Sequence, residues 1–268
     1  MKFWLLLLVG CWSATADTPP IADASLRVAA LRAVFPGMRI SRPSTASTYR
    51  VKGPVTNDAE KCASGDVPSL RVSDLRDVES TLFGWPNAKG SGLIAVLQYK
   101  FAGVSPPEAC FSIAMLAHVS RTRSAWRVSE HVLFETTHHY TAPSARMLDL
   151  TGDGVDDLAV DSDWGGLGAS DVTEDIFDLH RGSFEQVLEV FSRYEGYDAR
   201  YTQKLDIART RQTHATQFCF VRTQTAENGQ TLPAPKTSTP CYKPGNGIQV
   251  KINAERNEML KPLHAPAP

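Results

Sequence analysis

At 268 residues, 42% of them hydrophobic and 21% charged, the chain is long enough to bury a sizeable core in one or two domains. This composition excludes both a disordered polymer and a membrane bundle. Formal net charge is −1 and no basic block exceeds a pair, which argues against nucleic acid as a partner.

Residues 1–16 read as a signal peptide. Lys2 supplies the positive start, residues 3–9 are an apolar run, and Ala14-Thr15-Ala16 forms a cleavage site before Asp17. The apolar run is too short to cross a bilayer as a helix, so no transmembrane helix is expected. A competing reading takes Leu8-Val9-Gly10-Cys11, which resembles a bacterial lipobox, and makes Cys11 a lipid anchor. The expected location is therefore exported, periplasmic or secreted, with a lipoprotein anchored through Cys11 as the alternative. Export favours disulfides for the other cysteines, Cys62, Cys110, Cys219 and Cys241. Four cysteines allow three pairings, and chain order favours Cys62 with Cys110 and Cys219 with Cys241.

Past a polar start, residues 25–35 have apolar side chains at helical spacing. Asp23 or Ser25 can cap this helix and Pro36-Gly37 stops it. Residues 41–70 are rich in Ser, Pro, Gly and Asp and read as loop, with short extended pieces such as Tyr49-Arg50-Val51. From about residue 78 the pattern turns to strands, expected at 92–101, 110–119, 126–135, 147–150, 157–162, 173–179 and 184–190. His180-Arg181-Gly182-Ser183 marks a hairpin between the last two. Further strands are expected at 213–223 and 247–252. Strand starts spaced without intervening helices argue for an antiparallel meander over βαβ units. The organisation read from this pattern is a leader (1–16), a helix and loop-rich segment (17–77), an antiparallel β domain (78–258) and a Pro-rich disordered tail (259–268). The fold class is mostly β, with sandwich-like or incomplete propeller-like sheets and a short N-terminal helix.

The clearest chemical signal is Asp149-Leu150-Thr151-Gly152-Asp153-Gly154-Val155-Asp156-Asp157. Oxygens recur at Asp149, Thr151 and Asp153, and Gly154 permits a sharp turn that lets the Val155 carbonyl and Asp157 carboxylate approach the same centre. Calcium takes six to eight such oxygens in flexible geometry, so a structural calcium ion is expected on Asp149, Thr151, Asp153, Val155 and Asp157. The pattern resembles the first nine positions of an EF-hand loop, but Val160 stands where the closing Glu belongs and the flanks read as strands. The segment is more similar to a single FG-GAP or VCBS-type repeat of integrin-like β-propellers. That resemblance rests on DLTGDGVDDLAV, then Trp164-Gly165-Gly166-Leu167-Gly168, then His180-Arg181-Gly182-Ser183-Phe184. It covers residues 145–190 and occurs once, so it implies one calcium-turned module and no full ring of blades. Thr151 departs from the usual Asp or Asn and implies a weaker site.

Other constellations are less specific. His131, His138 and His139 with Glu130 and Glu135 have no H-E-x-x-H spacing, and exposed histidines are the plainer reading. Gly165-Gly166-Leu167-Gly168 lacks the residues of a nucleotide loop and reads as a turn. Asp161, Asp163, Asp171, Glu174 and Asp175 offer a glycosidase-like carboxylate pair. Ser112, Ser129 and Ser162 sit in no nucleophile elbow. Trp126 and Trp164 read as packing residues, with sugar stacking by Trp164 as the alternative. No catalytic residue is therefore assigned. The functional expectation is an exported, non-catalytic binding or accessory protein with a calcium-stabilised loop, its partner an unknown protein or glycan. The alternative is a secreted hydrolase using the acidic residues between Asp149 and Asp175.

Overall fold

The computed structural model describes residues 17–42, 48–55, 75–86, 91–101, 112–136, 144–150, 152–166, 169–195, 199–213, 216–226 and 236–244. The expectations for residues 1–16, Cys11, Cys62, Cys110, Thr151, His138, His139, Leu167, Gly168, the strand at 247–252 and the tail lie outside these, as do those for the side chains of Ser112, Glu135 and Trp164. In chain order the helix α1 (Ala24–Val34) precedes β1 (Arg39–Ser41), β2 (Tyr49–Lys52), β3 (Leu75–Gly84), β4 (Gly92–Phe101), β5 (Ser112–Arg121) and β6 (Trp126–Thr136). There follow β7 (Ser144–Leu148), β8 (Asp157–Gly166), β9 (Ala169–Asp178), β10 (Glu185–Glu195), β11 (Ala199–Leu205), helix α2 (Ile207–Gln212), β12 (Phe218–Ala226), β13 (Lys236–Ser238) and β14 (Cys241–Tyr242).

The strands form two antiparallel meanders. One sheet runs β1-β2-β3-β4-β5-β6 and the other β13-β12-β11-β10-β9-β8-β7, with β14 added beside β12. The protein is thus mostly β and antiparallel with a short N-terminal helix, as its sequence pattern requires. β4 shows why: nine of its ten residues are buried, so both faces of this central strand meet apolar partners. On one face Leu93, Leu97 and Tyr99 join Met115 and Val119 of β5 under Leu31 of α1. On the opposite face Ile94, Val96 and Leu116 meet Met147, Leu158 and Val160 of the second sheet. Trp85 stacks on His118 with ring centroids 3.6 Å apart and meets Phe184 edge-on at 5.2 Å, tying the two sheets together. A third core lies on the far face of the second sheet, where Ala159, Ile176 and Val190 pack with Phe218 and Phe220.

Local chemistry sets the element ends. The Asp23 carboxylate accepts from the Ser25 and Leu26 amides at 2.7 and 3.3 Å and starts α1. The chain leaves α1 through Pro36 and Gly37, the latter at φ +75°. Residues 213–223, expected as one strand, divide instead. Asp206 caps α2 by accepting from the Arg209 amide at 3.0 Å, Thr213 closes that helix, and extended pairing resumes only at Phe218. β1 precedes the stretch read as loop and ends on its first residue, Ser41, while the extended piece expected at Tyr49-Arg50-Val51 is β2; both join the first sheet. Ahead of α1, the Thr18 amide donates to the Met147 carbonyl at 2.8 Å, forming an isolated antiparallel bridge beside β7.

Candidate functional site

The acidic loop joins β7 to β8, and its carboxylates serve its own backbone. Asp149 accepts from the Gly152 amide at 2.5 Å and the Gly154 amide at 3.1 Å, while Asp153 accepts from the Val155 amide at 2.8 Å. Gly152 and Gly154 stand at φ +77° and +83°, a backbone region that a side chain disfavours. Asp157 is buried and accepts from the Leu150 amide at 3.0 Å, which pins Leu150 into the third core. Two basic side chains and one hydroxyl approach from outside the loop. His180 Nδ1 lies 3.1 Å from Asp153 Oδ2, and the Arg211 guanidinium donates to the Asp149 carbonyl. The Thr18 hydroxyl donates to Asp156 at 2.5 Å.

The loop therefore carries Asp149, Asp153, Val155 and Asp157 along one turn, with Thr151 outside the described residues. Its donors are hard oxygens of the type calcium takes. Among the described residues, however, no three His, Cys, Asp or Glu side chains stand together in a metal-binding group.

The acidic residues further along are divided by the pleat. Pairing of Asp161 with Glu174 and of Val160 with Asp175 puts Asp161, Asp163 and Glu174 on one face of the second sheet, and Asp171 and Asp175 on the other. On the first face Glu174 is ion-paired with Arg146, Ser144 Oγ donates to Asp161 at 2.8 Å, and Arg193 stands 3.6 Å from Asp163. Burial raises the Glu174 carboxyl above its ordinary range, with Arg146 opposing the shift, and burial raises Asp161 as well. On the other face Asp175 is 3% exposed and accepts from Gln186 Nε2 at 2.7 Å. Burial, and secondarily the charge of Glu189 opposite, push its pKa up to about 7. These five carboxylates do not line one cleft.

The remaining sequence candidates also separate. The Glu130 carboxylate accepts from the Phe184 amide at 3.1 Å, whereas the neighbouring His131 is exposed on the opposite side of β6. Ser129 Oγ donates to the His118 carbonyl and Ser162 shares a 2.6 Å hydrogen bond with Thr173, so both hydroxyls brace the sheets. Gly165 and Gly166 belong to β8, pairing with Ser170 and Ala169 at the hairpin end. Trp126 packs against the core beneath α1. Cys219 and Cys241 are joined in a disulfide between paired positions of β12 and β14. No helix among the described residues is long and apolar enough to cross a membrane.

One feature carries no motif. A groove of about 670 Å3 runs between the C-terminal end of α1 and the outer face of the first sheet. Tyr99, Met115 and Leu133 form part of its floor, Phe35 and Val128 part of its walls. The signal for it lies in the phase of β6. Val128 pairs with Val119 and His131 with Ala117, so a bulge between them brings residues three apart to one face. A strict period of two misses this change.

Two packed antiparallel meanders with a helix on the outer face define the class of protein. No protein-family model matches the chain, and neither does a curated protein or a solved structure.

Proposed function

We propose that the chain is an exported, non-catalytic binding or accessory protein in which calcium braces the turn between β7 and β8. The observation that carries the non-catalytic reading is the division of the five carboxylates between two sheet faces, each of the best-defined ones occupied by a partner. A glycosidase needs two carboxyls facing one substrate bond from the same cleft. The leader-like start and the Cys219–Cys241 disulfide support export. The resemblance of residues 145–190 to one FG-GAP-type module, and the hard-oxygen donors of its loop, support calcium. Its partner would be a protein or glycan.

A cation at Asp149, Asp153 and Asp157 would relieve their mutual repulsion, and binding to the folded form alone adds stability by mass action. At a calcium concentration about 100 times Kd the gain is about 2.7 kcal/mol. Thermal unfolding with excess calcium and then with a chelator measures it. The midpoint is expected to rise with calcium by several degrees in the native chain and not in Asp153→Asn. Equal midpoints in the native chain would overturn calcium binding.

A further inference from the structure

We propose that the groove beneath α1 binds a small anionic amphiphile, a molecule with an aliphatic body and a carboxylate or phosphate end. Its volume of about 670 Å3 falls in the range of small-molecule sites. The floor is assembled from three adjacent strands: Tyr99 of β4, Met115 of β5 and Leu133 of β6. Tyr99 and Met115 are nearly inaccessible, while Leu133 is 42% exposed, an uncovered apolar side chain on an edge strand. Phe35 fixes the helical wall by meeting the Tyr99 ring edge-on at 5.3 Å. The cavity is thus held open by packed side chains and α1 cannot settle further along the sheet.

Charge then selects among apolar ligands. Arg32, in the last turn of α1, and His131 of β6 border the groove, whereas Arg127 stands between Trp126 and Val128 and the pleat turns it to the other face. No acidic side chain lines the groove among the described residues. The Arg32 guanidinium offers forked donors suited to a carboxylate or phosphate. A cationic amphiphile gains nothing there, and a neutral one forgoes the charge-assisted bonds. This site is separate from the β7–β8 loop, and its test is independent of calcium.

The test is calorimetric titration of the chain with decanoate below its micellar concentration, with decanol and decyltrimethylammonium as head-group controls. Decanoate is expected to bind at one site at least about tenfold more tightly than either control. Leu133→Asp, which sets a negative charge on the floor, and Arg32→Glu, which reverses the rim, should each weaken decanoate about tenfold or more. Both positions are exposed, so the thermal midpoints should stay near that of the native chain, and each variant covers for the other if one misfolds. Decyl phosphate run in parallel separates the two head groups, and tight binding of either supports the proposal. Equal affinity for decanol, unchanged affinity in both variants, or no saturable binding would overturn it. So would a dimer in gel filtration that Leu133→Asp converts to monomer, since the groove would then seat a second copy. Chelator in the titration cell should leave decanoate binding unchanged, whatever the calcium melt shows.

Discussion

Asp175 is a carboxylate placed where water is excluded, on the sheet face shared by Val160 and Phe177, with Glu189 as its cross-strand neighbour. With a pKa near 7 against an ordinary value of 3.8, the native state holds a proton that the unfolded chain has already released. Stability contributed by that proton is complete below about pH 4 and is lost as pH rises through about 7. Burial raises Glu189, Glu174 and Asp161 in the same direction. Asp175→Asn keeps a neutral acceptor for Gln186 and removes the titration. Chemical unfolding should find it more stable than the native chain at about pH 8, by on the order of 4 kcal/mol, with the gap closing near pH 4. A gap independent of pH would contradict the origin in Asp175. None of this was visible in the string of letters, where Asp175 was one acid among five. Only strand register reveals which of them face the same way.

At the scale of elements, legibility followed the continuity of the apolar signal. β4 could be read to the residue because residues 93–97 are an unbroken apolar run that Tyr99 and Phe101 continue in alternation, and α1 because its cap, spacing and stop agree. β11 left no such trace. Its Gln203 is buried, yet polar: Nε2 donates to the Phe191 carbonyl at 3.1 Å and Oε1 accepts from Arg222 Nε at 2.8 Å. A satisfied polar residue inside a strand erases the alternation by which strands are recognised. Arg222 also bonds the Tyr242 hydroxyl, so the short β14 is held by this cluster and by the disulfide. Cys219 and Cys241 are 22 residues apart, and opening that loop should cost roughly 3 kcal/mol through the unfolded chain's regained freedom. Denaturant titration of Cys219→Ser/Cys241→Ser against the oxidised native chain measures this, and superimposable curves would contradict it.

For the whole molecule, the decisive packing is between sheets. Phe184 sits just before β10 yet touches Trp85, just after β3 of the first sheet, and Phe177 of the second, at centroid distances of 5.2 and 6.1 Å. Phe184→Ala should therefore lower stability by about 3 to 5 kcal/mol. It should do so in one cooperative transition seen alike by circular dichroism and by tryptophan fluorescence. Two separated transitions would mean that the sheets melt independently. The candidate sites divide similarly in how they could be found. The acidic loop announces itself because its residues are consecutive, whereas the groove draws on α1, β4, β5 and β6 and exists only once they pack.

The bridge from Thr18 to Met147 has a further consequence for how chains of this protein meet one another. β7 is the last strand of the second sheet, and its outer edge offers amide and carbonyl groups to any extended segment that approaches. Thr18 takes one of those carbonyls with its own amide and anchors itself through its hydroxyl to Asp156. The segment leading into α1 thus lies across the place where a foreign strand would dock. A chain shortened past Thr18 would keep its core and lose its guard against sticking edge to edge.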